Sequence, residues 1–323
     1  SFPDYGKLSH KNVEENQAGL RTLKVRGEEA KEDPNDFVLW KPKKEGEPYW
    51  ESPWCEGRPG WHIECSVMSK KYLGESIDIH GGGEDLVFPH HENEIAQSEA
   101  VSGKQFVRYW MHNAFLNIDN IKMSKSLGNF KTVRQISEEY DLQVLRFFML
   151  SAHYRSPLNF SREMMDGVKA SLDRILTATD HLRDCLAAAA ERELTAEETA
   201  ELAAFDALRE KFEAAMDDDF NTADAISAVF EMVKRANITV TKESAAAYIR
   251  RVKELLEKLL EVLGIHAERK EESLDARVEA LIEERQTARK EKNYARADEI
   301  RAELTAMGIL LEDTKEGVKW KRA

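Results

Sequence analysis

Residues 60–94 concentrate side chains that bind metals. This stretch holds Cys65 and four histidines, although the whole chain of 323 residues has only three cysteines and nine histidines. If Pro89 opens a helix, His90 and Glu94 stand four residues apart on one face, a spacing at which two side chains can hold one ion. With the thiolate of Cys65 they would give the three protein ligands of a catalytic zinc site, which leaves a position for substrate or water.

Spacing alone leaves the ligand set open. Cys55 competes with Cys65 as the thiolate, and His91 competes with His90 as the imidazole. A lone buried cysteine is often only a small apolar residue, and histidines in turns often only form hydrogen bonds. The joint occurrence of a cysteine, a histidine and a glutamate in this pattern favours a metal site.

Two further segments have residues suited to a nucleotide. Gly81–Gly83 end a predicted strand, where the absence of Cβ atoms would let the main chain approach a flat ligand or a phosphate, and Asp85 follows as a partner for a sugar hydroxyl. Lys122 and Lys125, with serines between and beside them, predict a cationic loop suited to the charge of a reacting triphosphate. A sharp turn, a helix cap and an ordinary surface loop are the structural alternatives for these features.

The elements that must position these residues are predicted from periodicity. Residues 76–80 alternate like a strand and run into the glycines, a helical pattern spans residues 92–101, and a second β-rich run spans residues 107–116. Strand, glycine turn, helix and strand in this order predict an α/β layer of the nucleotide-binding type.

Helical patterns dominate the remainder of the chain. Residues 161–264 have near-helical apolar spacing and predict a bundle of about four helices, with a capping box at Thr195 and Glu198 and a further cap at Asn221. Residues 273–323 predict two short helices and a small hairpin.

Composition limits the class of protein. The formal charge is −13, which argues against a generally basic nucleic-acid coat but not against a local basic surface. No stretch approaches the roughly 20 apolar residues that cross a bilayer, and the first residues have no signal-peptide pattern. Three cysteines exclude a disulfide framework and indicate a reducing compartment. We therefore expect a cytoplasmic protein without a membrane segment.

Several motifs resemble one family over essentially the whole chain. Residues 122–126, KMSKS, match the signature loop of class I aminoacyl-tRNA synthetases, and two strings are similar to those of cysteinyl-tRNA synthetases, namely GWHIECSVM and DIHGGGEDLVFPHHENEIAQSEA. The resemblance continues through HYRSPLNFS, MDDDFNTADAISAVFE and GILLEDTKEGVKWKR. It implies an α/β fold class: the second half of a class I synthetase Rossmann-type nucleotide fold, followed by an α-helical bundle and a small α+β C-terminal domain.

The resemblance implies a cysteine–tRNA ligase that forms cysteinyl adenylate from L-cysteine and ATP and then charges tRNA(Cys). In this family Zn²⁺ binds the thiolate of the substrate, and the matching ligands here are Cys65, His90 and Glu94, whereas Cys55 is not at a family position. A further cysteine ligand and the ATP-binding His-Ile-Gly-His motif lie upstream in the family, and neither occurs in these 323 residues. We therefore expect that the chain is truncated and does not complete an active site alone.

The same resemblance assigns roles to the other candidates. It implies an amino-acid pocket lined by Trp61, His62, His80 and His91. It implies contacts to ATP from Gly81, Gly82, Gly83, Asp85 and Lys125. It implies that Lys122 and Lys125 stabilise the pyrophosphate leaving group together with Mg²⁺.

The resemblance also implies that the C-terminal residues read the tRNA. Basic residues there would contact phosphates, namely Arg285, Arg289, Lys290, Lys319, Lys321 and Arg322, and Tyr294 or Trp320 would stack on an unpaired anticodon base. A solvated charged face with a core tryptophan is the structural alternative.

The implied domains follow one another along the chain. They are the end of a connective insertion (1–57), the second half of the catalytic domain with the zinc site (58–120), the KMSKS loop and stem-contact region (121–160), a DALR-like bundle (161–264) and an anticodon-binding domain (265–323). A monomer is expected. Two alternatives are a cysteine ligase that acts on an amino sugar, as in mycothiol-type enzymes, and a non-catalytic tRNA-binding fragment. The GILLEDTKEGVKW string near the C-terminus favours the tRNA enzyme.

Overall fold

A computed structural model describes residues 2–11, 31–33, 35–124, 127–268, 276–290, 293–306, 308–314 and 317–322. The chain divides into two compact units, Ser1–Ile265 and His266–Ala323. In the described residues, no helix combines the length and the apolar character needed to cross a membrane.

The first unit begins with an α/β region. A short antiparallel pair, β1 (Trp40–Pro42) and β2 (Gly57–Pro59), precedes the helix α1 (Ile63–Leu73). The strand β3 (Ile77–Gly83) follows, and the helix α2 (Glu92–Ser102) connects it to β4 (Val107–Asn113). β3 and β4 pair in parallel, which requires a crossover of this kind. Their core is built from Ile77, Ile95, Phe106 and Val107.

The glycine run differs from its sequence-based prediction. The sequence pattern predicts a turn at residues 81–83, but these glycines are the last residues of β3 and pair with residues 111–113 of β4. The prediction of a turn is wrong because the main chain continues in the extended conformation and pairs with its neighbour in the sheet. The glycines therefore stand at the edge where two parallel strands end.

The β-rich run 107–116 is two strands rather than one. β4 ends at Asn113, because the N–H of Ala114 donates to the carbonyl of Tyr154 at 2.9 Å instead of continuing the pairing with β3. β5 (Leu116–Ile118) then pairs antiparallel with β6 (Ile121–Lys122) and parallel with β7 (Leu158–Phe160). This second small sheet carries the first lysine of the KMSKS loop.

Helices make up the rest of the first unit. Two short helices, α3 (Val133–Ser137) and α4 (Leu142–Leu150), lead to the four helices of the bundle. Those four are α5 (Arg162–Ala188), α6 (Ala196–Asp217), α7 (Thr222–Thr239) and α8 (Ala246–Val262). The predicted capping box is confirmed, because Thr195 Oγ1 accepts from the N–H of Glu198 at 3.1 Å and the Glu198 side chain accepts from the N–H of Thr195 at 2.9 Å.

The bundle has an apolar core. Its largest fully buried side chains are Met165, Ile175, Leu182, Phe205, Met232, Tyr248, Ile249, Leu256 and Leu260. Asn221 caps α7 as predicted, since its side-chain oxygen accepts from the N–H of Asp224 at 3.2 Å. Gly264, with a φ of +66°, follows the last turn of α8, where a left-handed residue commonly ends a helix.

The second unit is a helical pair with a hairpin. Helices α9 (Ala276–Lys290) and α10 (Tyr294–Ala306) precede the antiparallel strands β8 (Ile309–Thr314) and β9 (Gly317–Arg322). Its core contains Leu281, Ile300, Leu304 and Ile309. The predicted order of an α/β region, a helical bundle and a small α+β unit is therefore confirmed.

Candidate active site

Three elements bring the candidate metal ligands together. Cys65 lies in the first turn of α1, His80 lies in β3 and Glu94 lies in the first turn of α2. His90 and His91 occupy a wide helical turn over Val87–His91 that leads directly into α2. Helix α2 itself thus begins at Glu92 rather than at Pro89, and the predicted spacing of His90 and Glu94 on one helix spans the junction of two helical segments.

Glu94 is the buried centre of this group. Its side chain is 6% exposed, and its Oε2 lies 3.0 Å from Nε2 of His80. That approach lacks hydrogen-bond geometry, and Oε2 has no hydrogen-bond partner among the described residues. The ligand atoms of His80, His91 and Glu94 all lie within 4.8 Å of one another. Zn–N and Zn–O bonds of about 2.0–2.2 Å place ligand atoms roughly 3–3.5 Å apart, and the distance between His80 and Glu94 matches that spacing.

The Cys65 thiol approaches the same carboxylate. Burial, together with the charge and hydrogen bond of Glu94, raises the pKa of the Cys65 thiol. A cation between the two groups would reverse that shift, because it favours the thiolate. The thiol and the carboxylate are therefore neighbours, and their action as metal ligands stays a prediction.

His90 completes the set that the sequence predicts. Its ring centroid lies 4.9 Å from that of His62 and 6.0 Å from that of Trp61. Among the described residues, however, the set that meets the 4.8 Å limit is His80, His91 and Glu94. The two sets share only Glu94, since Cys65 and His90 both fall outside the 4.8 Å group, and which of these residues bind an ion stays a prediction.

A fifth histidine joins the cluster, and sequence reasoning gives it no role. Nε2 of His112 lies 2.8 Å from Nδ1 of His91. Burial lowers the pKa of His91 to about 4. Burial, with smaller contributions from His80 and Arg155, also lowers the pKa of His112. Both imidazoles are therefore neutral at pH 7, so that one can donate and the other accept.

The strand register explains how His112 reaches the site. It stands opposite Gly82 in the parallel pair of β3 and β4. The carboxyl ends of parallel strands meet at one edge of a sheet. The position of His112 near the end of the second β-rich run was therefore the sequence signal that could have placed it at the site. Using that signal would have required the correct pairing of the two strands.

The predicted amino-acid pocket residues surround the same cluster. Trp61 is 72% exposed at the start of α1 and faces the ring of His90. His62 packs edge-on against Phe37, with ring centroids 5.8 Å apart. Burial, together with the nearby His90, lowers the pKa of His62. The structure thus collects the four pocket candidates, although their contact with an amino acid stays a prediction.

Gly82 and Gly83 leave room for neighbouring side chains to pack directly against the main chain of β3. A Cβ on Gly82 would lie 2.7 Å from Cδ1 of Leu86 and 3.2 Å from Cε1 of His91. A Cβ on Gly83 would lie 2.6 Å from Oδ1 of Asp85. Any larger residue would therefore displace side chains of the candidate site. The predicted contacts of these glycines and Asp85 with ATP stay predictions.

The KMSKS loop begins at Lys122, the last residue of β6. The Lys122 ammonium lies 3.5 Å from the centroid of the Phe115 ring. Asn129 closes the loop, because its Nδ2 donates to the carbonyl of Lys122 at 3.2 Å and its Oδ1 accepts from the N–H of Ser124 at 2.9 Å. Lys125 lies outside the described residues.

Two residues of the second unit that are predicted to contact RNA differ in their exposure to solvent. Arg285 is only 4% exposed, so the prediction that it contacts phosphate is wrong: its side chain is buried within the helical pair. Tyr294 is 62% exposed and remains available for stacking. The side chains of Lys290 and of residues 319–322 lie outside those that the structure describes.

The fold defines the class of the protein. The chain superposes on the LeuRS of a solved Agrobacterium radiobacter K84 agnB2 LeuRS–tRNA–LeuAMS complex with a TM-score of 0.51 and 16% identity, over 71% of this chain and 36% of that one. Such a low identity shows a shared fold alone. The fold is that of the class I aminoacyl-tRNA synthetases.

Family models cover most of the chain. Residues 1–170 match the class I (C) tRNA synthetase catalytic domain, residues 211–268 match the DALR domain, and residues 271–320 match the cysteinyl-tRNA ligase anticodon binding domain. The limits of the domains inferred from the sequence alone stay predictions.

Similar proteins point to one family. The cysteine–tRNA ligase of Lachnospira eligens is 63% identical over all of this chain and 69% of its own length. That of Lachnoclostridium phytofermentans is 59% identical over 100% of this chain and 69% of its own length. That of Clostridioides difficile is 54% identical over 99% of this chain and 68% of its own length. The chain belongs to the cysteinyl-tRNA synthetase family. These matches do not support the amino-sugar ligase alternative.

Proposed function

We propose that this chain acts in the ligation of L-cysteine to tRNA(Cys), through cysteinyl adenylate formed from cysteine and ATP. One observation carries the proposal: the buried Glu94 carboxylate faces the Cys65 thiol and the His80 imidazole and keeps an oxygen without a hydrogen bond. Burying such a group is costly unless a partner compensates it, and a metal cation would do so. The names of the relatives support the same activity.

The donor set fits Zn²⁺. Thiolate, imidazole and carboxylate are its usual protein ligands, and Cys65, His90 and Glu94 would supply one of each. His80 and His91 contact the same region and would orient these ligands. When bound there, Zn²⁺ supplies a borderline-soft Lewis acid that prefers a thiolate to a hydroxyl and so distinguishes cysteine from serine.

The pocket around these ligands would hold the rest of the amino acid. Trp61 is exposed beside His90, where its ring would cover a bound amino acid and exclude water. Because selection would rest on a specific bond to sulfur, a separate editing site would be unnecessary.

The glycine edge and the KMSKS loop would bind ATP with Mg²⁺. Gly81–Gly83 and Asp85 lie where β3 ends, the side of a parallel sheet at which nucleotides bind. Lys122 and Lys125 would neutralise charge on the departing pyrophosphate. Asn129 supports this role by holding the loop through main-chain contacts at Lys122 and Ser124.

The second unit would read the tRNA anticodon. The match of residues 271–320 to an anticodon-binding domain supports this role, and exposed Tyr294 is placed for stacking on an unpaired base. A monomeric enzyme in the cytoplasm, where translation takes place, is part of the same proposal.

Metal analysis of variants tests the ligand assignment. We expect about one Zn²⁺ per wild-type chain, loss of zinc in Cys65→Ser and His90→Gln, and retained zinc in Cys55→Ser. Cys55→Ser is a matched control, because it makes the same change at a free cysteine that is not at a family position. A wild-type chain without zinc, or zinc retained in Cys65→Ser, would contradict the proposal.

Binding of tRNA tests the role of the second unit. The full chain should bind a tRNA(Cys) transcript at least tenfold more tightly than the same transcript with an altered anticodon, because each stacked base contributes about 1–3 kcal/mol. Equal affinity for the two transcripts would contradict anticodon recognition.

A further inference from the structure

Glu92 is a fully buried carboxylate that the proposed chemistry does not use. It is 0% exposed in the first turn of α2, next to His91 and two residues before Glu94. A buried carboxylate is costly unless hydrogen bonds compensate it. Its partners therefore indicate what it does.

The partners of Glu92 are main-chain groups from a distant part of the chain. Oε1 accepts from the N–H groups of Leu8 at 2.7 Å and Ser9 at 2.6 Å, and Oε2 accepts from the N–H of Gly6 at 3.1 Å. Three amides that converge on one carboxylate fix the path of residues 5–9, which we call the Tyr5–Ser9 segment. Both oxygens of the buried carboxylate are thereby satisfied, and the segment is held at three points.

A second contact attaches the same segment to the next residue of the helix. The Tyr5 hydroxyl donates to Oδ1 of Asn93 at 2.6 Å, and Asn93 is 1% exposed. Burial, followed by the charge of Glu92, raises the pKa of Tyr5 to about 12, so its hydroxyl remains a donor at neutral pH. Glu92 and Asn93 together hold the segment against the start of α2.

The segment also supports residues that lie beside the metal ligands. The Tyr5 ring packs against Phe88, with centroids 6.2 Å apart, and against Phe37 at 6.4 Å. Phe37 in turn contacts the ring of His62, and Leu8 packs on the core beneath the parallel strands. The segment therefore touches the surroundings of the site, and its hydrogen bonds reach the ligands through the first turn of α2.

The geometry of a helix links this attachment to the ligands. Successive residues are rotated by roughly 100°, so Glu92 and Glu94 point to nearly opposite sides of α2. Holding Glu92 fixes the rotation of the first turn, and the rotation decides where Glu94 places its carboxylate. Oε2 of Glu94 has no hydrogen bond among the described residues that would hold it in place.

We propose that Glu92 is a positioning residue for the metal site: by binding the Tyr5–Ser9 segment it holds the first turn of α2 in the rotation at which His90 and Glu94 bind the ion. This inference rests on the proposed zinc site, and Glu92 itself touches neither metal nor substrate.

Two glutamine variants of the full chain test the proposal. Glu92→Gln keeps the size of the side chain but replaces one acceptor oxygen by an N–H donor that faces the segment. The matched control is Glu99→Gln on the same helix, because Glu99 also contacts the segment through Lys7 and accepts from the N–H of Phe106 at 3.1 Å, farther from the ligands. Zinc affinity is measured by competition with a chelator, and ligand geometry by the visible spectrum of the Co²⁺-substituted chain.

We expect Glu92→Gln to weaken zinc binding about 10- to 100-fold and to change the Co²⁺ spectrum, as changes around metal ligands do, while Glu99→Gln stays within about twofold of wild type. If Glu92→Gln does not fold, Tyr5→Phe decides the question, since it removes only the donor to Asn93 and should weaken zinc binding several-fold. Wild-type affinity in the variant that folds, or equal losses in Glu92→Gln and Glu99→Gln, would overturn the inference alone. A wild-type chain that binds no zinc would instead overturn the proposed function.

Discussion

Glu94 of the α/β region and Glu198 of the helical bundle are both buried near the start of a helix, and their partners differ. Glu198 accepts from Arg192 at 2.7 and 2.8 Å, from the N–H of Thr195 at 2.9 Å and from the N–H of Ala245 at 2.8 Å. Glu94 has an oxygen without a hydrogen bond, 3.0 Å from Nε2 of His80. A fully bonded carboxylate joins elements of the fold, whereas an incompletely bonded one is available to a ligand.

The side chains around the two glutamates also differ. Five imidazoles lie in the cluster around Glu94, and burial lowers the pKa of three of them, namely His62, His91 and His112. Glu198 instead joins the starts of α6 and α8, and its hydrogen bonds with Arg192 lower its pKa to about 2. Changes at Glu94 should therefore alter ligand binding, and changes at Glu198 should alter the free energy of unfolding.

The largest effect is expected for Glu94→Gln. Zinc sites with four protein ligands contribute about 10–16 kcal/mol, or roughly 3 kcal/mol per ligand, so the loss of one of the three ligands that this chain supplies should cost about 100-fold in affinity. Chelator competition measures this change. Glu64→Gln is the control, because Glu64 is an exposed carboxylate next to Cys65 and should leave the affinity unchanged. Unchanged zinc affinity in Glu94→Gln would remove the distinction between the two glutamates.

Glu198→Gln should lower stability without affecting zinc. A shift of the pKa from 4.5 to about 2 corresponds to about 3 kcal/mol at neutral pH, and solvent around the half-exposed Arg192 reduces the expected loss to about 2 kcal/mol. Thermal unfolding measures the loss, with Glu197→Gln as the control because Glu197 is the exposed neighbour in the same helix turn. Equal melting temperatures for the two variants would show that Glu198 has no special role.

The same glutamate predicts a dependence on pH. Because its pKa is lowered on folding, the unfolded chain binds more protons between pH 4.5 and about 2, and the stability due to Glu198 is lost as the pH falls through that window. The difference in melting temperature between wild type and Glu198→Gln should therefore be full above pH 5 and should vanish near pH 2. A constant difference over this range would contradict the assigned pKa.

The smallest effect is expected for Thr195→Ala. Loss of the capping hydroxyl that accepts from the N–H of Glu198 should cost about 1 kcal/mol of stability. Thr199→Ala is the matched control, because Thr199 is exposed one turn later, where substitutions usually change stability by less than about 0.5 kcal/mol. Chemical denaturation measures both variants, and a larger loss in Thr199→Ala would contradict the capping role.

The bundle was predictable from sequence because its signals are local. Helical spacing and the caps at Thr195 and Asn221 each lie within one turn of the residues that they satisfy. The second unit followed for the same reason, since Gly308 and the alternating strands mark its hairpin. Such signals require no knowledge of how distant parts of the chain meet.

The candidate site was only partly predictable, because its decisive contacts join distant residues. Cys65, His90 and Glu94 stood out by residue type, but the place of His112 depends on the register of β4 against β3. The role of Glu92 depends on amides more than 80 positions away. The extended glycines likewise reflect strand pairing, which overrides the local preference of glycine for a turn.

The most direct test of the central claim is the response of the Co²⁺-substituted chain to its amino acid. Addition of L-cysteine should produce a new thiolate-to-metal absorption band, and L-serine at the same concentration should produce none. No change with L-cysteine, or the same change with both amino acids, would contradict recognition of the substrate through its sulfur at the Cys65–Glu94 site.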